Sequence, residues 1–160
     1  MHWINSTHGM ETLRMMGVPE HSAEPTTLLL EKARIEGFIE TRDQYNWMIE
    51  VEGDVIGAIW VGLLATCSLA APAVSIMIGD PAARGAGLGL LCLNAVDQFL
   101  FRRGAERVFA RHLVSNHASA RLLARAGFVD LDEPYIDQDD GLRWQNVSLS
   151  DAANKVVAGA

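Results

Sequence analysis

Cysteine is scarce in this chain: Cys67 and Cys92 are the two among 160 residues. Two thiols cannot staple a small disulfide scaffold, and neither stands in the Cys/His spacing of a metal site, so no metal is expected. Positive charge is also short. The net charge of −7 argues against general nucleic-acid binding, which favours a basic domain. The opening Met1-His2-Trp3-Ile4-Asn5 lacks a basic start before an apolar stretch, so it reads as no secretory signal, and the expected location is the cytoplasm. Apolar residues at 49% and charged residues at 21% exclude a disordered or collagen-like chain. At this length one domain is expected, over residues 1–150, with residues 151–160 as a flexible tail. A domain of about 150 residues buries roughly two-thirds of its unfolded surface.

One stretch lacks charge altogether. Residues 55–79 run for 25 positions without an ionisable group other than cysteine, long enough to span a bilayer. Yet Gly57, Gly62 and Pro72 interrupt the run, and Thr66-Cys67-Ser68 looks like a turn. Its two halves are rich in β-branched residues, and Asp54 and Asp80 bound it without a Lys or Arg anchor. Two buried strands are therefore expected, and no membrane association.

Arginine gathers at the centre. Residues 84–125 hold seven arginines against Asp97 and Glu106, a balance of +5, while the remainder carries −12. A basic centre in an acidic body suits either solvated helix faces or a site for an anionic ligand.

Patterning gives the order of elements. Residues 1–24 are weakly patterned, with a helical turn or two over 10–16, and 2–5 are the candidate for a short first strand. An amphipathic helix is expected over 27–41, with Leu28, Leu29, Ala33, Ile35 and Ile39 as its apolar side. Strands over 46–51 and 55–64 form a hairpin about Glu52-Gly53-Asp54, and a third strand covers 72–78. A glycine-rich loop leads into a helix over 88–103, where Leu88, Leu91, Cys92, Ala95, Val96 and Phe99 share one face and Gly104 follows the end. A strand over 107–114, a helix capped by Ser115 or Asn116 and ended by Gly127, a short strand over 128–131 and a final strand over 142–149 complete a mixed α/β domain. The acidic runs 130–133 and 137–140 read as solvated loops.

The loop reads Asp80-Pro81-Ala82-Ala83-Arg84-Gly85-Ala86-Gly87-Leu88-Gly89, strand to helix through glycines. The first N–H groups of a helix have no internal partner and its dipole is positive there, so the place suits a phosphate. No lysine is present for a Walker A loop, and counting from Gly85 the dinucleotide pattern fails at Leu90. What remains is Arg84-x-x-Gly87-x-Gly89. This resembles the pyrophosphate loop of the GNAT superfamily of acetyl-CoA-dependent N-acetyltransferases. Downstream, Asn116-His117-Ala118-Ser119 and then Gly127-Phe128 look like that superfamily's second signature. The resemblance covers about residues 45–150. Ser119 and Tyr45-Asn46-Trp47-Met48-Ile49 look most like the branch that acetylates ribosomal-protein N-termini.

The resemblance implies a mixed, mostly antiparallel sheet whose parallel strands four and five splay apart to admit the pantetheine arm. It implies an acyltransferase that moves an acetyl group from acetyl-CoA to a primary amine, a protein N-terminus or a small cationic amine, by direct attack in a ternary complex. Backbone groups of Met77, Ile78 and Gly79 would pair with pantetheine, and Gly85, Ala86, Gly87, Leu88 and Gly89 would hold the pyrophosphate beside Arg84. Asn116 and Ser119 would lie near the pantetheine end. Many members place a tyrosine general acid where this chain has Leu123, which leaves Ser119 as the candidate acid. Some relatives carry a glutamate base where this chain has Arg111; the candidates here are Glu50 and His112. A homodimer is compatible with the resemblance. The alternative is a non-catalytic acyl-CoA-binding or regulatory module, suggested by Leu123, Arg111 and the short N-terminal region.

Overall fold

The computed structural model describes residues 5–19 and 25–151. Residues 2–4 of the candidate first strand and most of the expected tail fall outside them, and Asn5 lies in a turn. Helix α1 spans Thr7–Met15, earlier than the pattern suggested, because the Ser6 hydroxyl accepts the Gly9 N–H and so caps it. Helix α2 spans Leu28–Glu40, capped by Thr27 on the Leu30 N–H. Strands β1 (Gln44–Val51) and β2 (Asp54–Gly62) form the expected hairpin. Glu52 at φ 54° and Gly53 at φ 91° take the two left-handed positions that a tight two-residue turn demands.

Strand β3 (Ala73–Ile78) pairs antiparallel with β2, and a short 3-10 turn, Pro81–Ala83, leads through the glycines to α3 (Leu88–Arg102). Then follow β4 (Arg107–Leu113), α4 (His117–Arg125), β5 (Val129–Asp130), β6 (Tyr135–Ile136) and β7 (Arg143–Ser150). The uncharged stretch is thus β2, a loop and β3. Among the described residues no helix is long and apolar enough to cross a membrane.

The sheet runs β1-β2-β3-β4-β7-β5, with β6 also on β7. All pairings are antiparallel except β3 with β4. That parallel pair meets in a single register pair, Ala73 with Phe109, supported by the Phe109 N–H donating to Pro72 O at 2.9 Å. Beyond it the strands part, so the sheet is forked at its centre.

Side-chain alternation assigns the two faces. Tyr45, Trp47, Ile59, Val61, Val74, Ile76, Val108 and Ala110 face α3 and α4 and build the core with Leu93, Val96, Leu100, Leu123 and Phe128. Leu93, Val61 and Val108 are fully buried. Phe99 of α3 meets Tyr45 and Trp47 edge-on at 5.3 and 5.4 Å between ring centres. The opposite face carries Gln44, Trp60, Ser75, Arg111, Trp144 and Asn146.

Three expectations need correction. The buried face of α3 is rotated from the expected one: Leu91 and Ala95 are exposed, and Leu93 and Leu100 go deepest into the core. The apolar side of α2 is not buried: Leu28, Leu29, Ile35 and Ile39 are exposed, and Glu31 is the helix's one buried residue. The acidic run at 137–140 is not a purely solvated loop either, since Asp137 is buried and ion-paired.

Candidate acyl-transfer site

The glycine loop is shaped by its backbone. Asp80 accepts the Ala82 N–H with its carboxylate and starts the 3-10 turn. Gly85 at φ 79° and Gly87 at φ 82° then take left-handed conformations that a side chain would strain. Gly87 is the N-cap of α3 and brings no side chain to it. The first backbone bond of the helix is the Leu91 N–H to Gly87 O, so the N–H groups of Leu88, Gly89 and Leu90 precede any intrahelical partner. Gly89 faces α4: a Cβ there would meet the Leu122 methyls at 3.3 and 3.5 Å. The open end of α3 therefore sits at the mouth of the fork, with α4 beside it.

Arg84 is committed. Its Nε donates to Ile78 O at 3.0 Å, and its Nη2 to the Thr12 hydroxyl of α1 at 2.7 Å and to Gly79 O at 3.5 Å. The strand end is also partly used up. The N–H groups of Gly79 and Asp80 both donate to Ile56 O, at 2.8 and 3.1 Å. Gly57 permits this close approach of β2 to β3: a Cβ on it would lie 2.2 Å from Met77 O. So Met77, Ile78 and Gly79 do line one wall of the fork, but the Gly79 N–H and the Ile78 carbonyl already have partners.

On the other wall, Asn116 caps α4 by accepting the Ser119 N–H at 3.1 Å, and its amide donates to Met15 O at 2.8 Å. Helix α1 is thus bonded to both walls, through Arg84 on one side and Asn116 on the other. Ser119 stands half-buried in the first turn of α4, and its hydroxyl has no partner among the described residues.

Where the fork closes, on the face away from α3, lies a cavity of about 190 Å³ lined by residues including Gln44, Trp60, Thr66, Ser75 and Arg111. Ser75 and Arg111 each stand two residues past the last strand pair, on opposite branches. Behind Arg111 is a polar strut. Its Nη1 donates to Asp137 at 2.7 Å and to the Tyr135 hydroxyl at 3.4 Å, and its guanidinium lies 4.0 Å from the Trp144 ring centre. Asn146 and Tyr135 both donate to Ser68 O, fixing the β2–β3 loop. Burial pulls the Arg111 pKa down, but the bonds to Tyr135 and Asp137 outweigh it and the net shift is upward. Asp137 is held below the usual carboxylate range by the Asp139 N–H and by Arg111. Both members therefore stay charged at neutral pH.

The remaining candidates are scattered. Glu50 is exposed, on the Arg111 face but six residues along β1 from Gln44, about 20 Å at strand rise. His112 points to the opposite face, where Nδ1 lies 2.9 Å from Leu113 O. There it lines a second cavity of about 300 Å³ with Leu123, Phe128 and Gln145. Sequence reasoning missed the strut. Arg111 and Asp137 lie 26 positions apart, and their meeting follows from β6 turning back on β7, a strand too short to leave a pattern. It also missed Asp97, 1% exposed in α3 with no hydrogen-bond partner for either carboxylate oxygen among the described residues; burial pushes its pKa up to about 7. Cys92 is a half-buried thiol whose pKa burial also raises. Among the described residues no group of three or more His, Cys, Asp or Glu could hold a metal.

A forked sheet with an open helix N-terminus at its mouth is the arrangement the sequence motifs anticipated. A family model described as an acetyltransferase (GNAT) domain matches residues 3–129. The chain belongs to the GNAT acetyltransferase family. Solved structures share this GNAT fold at low identity. One is the aminoglycoside acetyltransferase AAC(6')-Ib with ribostamycin and coenzyme A, at TM-score 0.75 and 17% identity, covering 96% of this chain and 87% of that one. Another is spermidine N-acetyltransferase from Vibrio cholerae with CoA and spermine, at TM-score 0.72 and 12% identity over 95% and 88%. A third is RimL, the ribosomal L7/L12 α-N-protein acetyltransferase, with CoA, at TM-score 0.72 and 15% identity over 91% and 87%. No curated protein matches the chain by sequence.

Proposed function

We propose that this GNAT protein transfers an acetyl group from acetyl-CoA to a primary amine, by direct attack within a ternary complex. The observation that carries the reading is the fork: β3 and β4 share one register pair, then part beneath the open N-terminus of α3. The pyrophosphate would rest on the N–H groups from Gly85 to Gly89, where backbone donors and the helix dipole favour negative charge. Arg84 acts there chiefly as a brace for the loop, since its guanidinium is bonded to Ile78 O, Gly79 O and Thr12. The pantetheine arm would descend between Met77-Ile78-Gly79 and the start of α4 near Asn116.

In the transfer step the amine lone pair attacks the thioester carbonyl carbon, the carbon–sulfur bond breaks, and the sulfur leaves as thiolate. Holding amine and thioester together supplies much of the rate. Ser119, whose hydroxyl is uncommitted, would donate to the departing sulfur. Glu50 and His112 lie apart from the cavity at the fork, so a water chain is the better route for the amine's proton. An α-amine has a pKa near 7.7–8.0, low enough for that route. Ser119 and the Tyr45–Ile49 segment favour a protein N-terminus as acceptor, as in the ribosomal-protein branch.

Thermal unfolding with and without acetyl-CoA tests the reading, alongside an Arg84→Glu variant. A ligand at 100 times its Kd stabilises by about 2.7 kcal/mol, roughly 5–11 °C for a domain of this size. The expected result is a shift of that order in the native chain and much less in the variant. A cooperative transition that acetyl-CoA leaves in place would refute the reading.

A further inference from the structure

The cavity at the closed end of the fork sets Arg111 among apolar residues, Leu64, Leu69 and Ala73, and neutral polar ones such as Gln44 and Ser75. Among the described residues Arg111 is the one charged side chain in its lining, and no carboxylate lines it. Nη1 of Arg111 is occupied by Asp137 and Tyr135, and Trp144 covers a face of the guanidinium. Its Nε and Nη2 have no partner among the described residues, although the side chain is only 29% exposed. The Trp60 indole N–H and the Ser75 hydroxyl, in the same lining, are likewise unpartnered. A guanidinium held by one edge offers the other, which no described residue occupies, to a planar two-oxygen acceptor.

The acidic residues nearby do not reverse this. Asp137 is already engaged, with Arg111 on one oxygen and the Asp139 N–H on the other. Asp140 accepts from the Trp144 indole and the Leu142 N–H, and the Asp139 carboxylate lies beside the Cys67 sulfur. At about 190 Å³ the cavity is smaller than the roughly 300–1,000 Å³ of pockets for drug-sized ligands, so it takes one small group. Ser75 is four residues of extended strand from Gly79, about 13 Å, so an arm of that reach running down the fork from the loop would end near it.

We infer that this cavity binds a carboxylate of the acceptor, so that the substrate is an amine with a carboxylate within one residue's reach, and Arg111 selects it. The inference rests on the acetyl-transfer reading and narrows its acceptor. Two sources share that chemistry: a free amino acid, and an acidic residue at a peptide N-terminus.

The test is a panel of matched pairs, followed by release of the CoA thiol from acetyl-CoA. Alanine is set against alaninamide, and Glu-Ala-amide against Gln-Ala-amide, with a simple diamine added. At least one carboxylate member should exceed its amide by about tenfold or more in kcat/KM, the range of a charge-assisted hydrogen bond. The pair that responds identifies the source. In Arg111→Gln that preference should vanish, mainly through KM, while the acetyl-CoA thermal shift persists. If Arg111→Gln fails to fold, Arg111→Lys, which keeps a charge for Asp137 but loses the fork geometry, should cut the preference severalfold. Amides or the diamine turned over as well as the carboxylates, or a preference that survives both substitutions, would overturn the inference and leave acetyl transfer standing. Loss of both turnover and the acetyl-CoA shift in the native chain would bring down the two together.

Discussion

Helices α2 and α3 differ little in length, at 13 and 15 residues, and both are rich in leucine, yet the fold uses them in opposite ways. Helix α3 buries Leu93, Val96, Asp97 and Leu100, while α2 leaves Leu28, Leu29, Leu30 and Ile39 each more than 60% exposed. The cause is spacing. Successive helical residues point about 100° apart, so three consecutive leucines spread over about 200° and no single sheet face can cover them. Helix α3 has such a run too, Leu90-Leu91-Cys92-Leu93, and leaves Leu91 exposed, but its Leu93, Val96 and Leu100 recur every three or four positions and form the stripe that is buried. The fork and its loop are therefore anchored in the core through α3. Helix α1 is tied to the fork by Arg84 to Thr12 and by Asn116 to Met15 O, and α2 to β1 by the Asn46 amide on Phe38 O.

The sharpest way to break this contrast is a matched truncation. Leu93→Ala should lower unfolding free energy by about 2–5 kcal/mol, and Leu29→Ala by less than about 0.5, in urea titrations. Equal losses would mean that α2 is packed after all.

A somewhat smaller effect should come from Asp97, the one flaw in the buried stripe. Its folded pKa of about 7 lies above its unfolded value, so the folded chain binds more protons between the two. Stability contributed by the neutral carboxyl is thus present at low pH and is lost as pH rises through about 7. Between pH 5 and 8 the loss should amount to about 2 kcal/mol, and Asp97→Asn should flatten that slope in melting curves. A slope unchanged in the variant would assign the pH dependence elsewhere.

The smallest effect concerns the bond between α4 and α1. Asn116→Asp keeps the capping oxygen for the Ser119 N–H but removes the donor to Met15 O. Global melting should move by under about 1 kcal/mol, whereas Asn116→Ala should cost about 1 kcal/mol or more through loss of the cap. Amide exchange within residues 7–15 should quicken in both variants. If it quickens in neither, α1 is held by other contacts.

How much of this was legible in the sequence follows the same division. The loop, α3, the Asn116 cap and the hairpin turn at Glu52-Gly53 are local: each is written in neighbouring residues whose conformational needs are known. The fork itself is not written in residues 73–113. It was implied by the resemblance, and its geometry depends on the lone Ala73–Phe109 pairing. The Arg111 strut was invisible because it needs the β4–β7 register and the two-residue β6, both set by tertiary packing. The exposure of α2 was misread because apolar content was counted without asking whether one face could hold it. Asp97 looked like an ordinary polar residue among helix positions, and nothing in its neighbours announced that it would be turned inward.

Gly57 carries a consequence of another kind. Alanine is the smallest possible change there, and its methyl carbon would already stand 2.2 Å from the Met77 carbonyl. No codon change at this position is conservative. Gly62, on the same strand, has nothing within 4 Å of where a Cβ would be, so a methyl there meets no clash, although it would stand in the lining of the cavity beside Arg111. For position 57 an accepted replacement has to arrive together with a compensating shift in β3, the strand that walls the fork. The two strands are therefore coupled at this point: β2 can change there only when the wall of the fork moves with it.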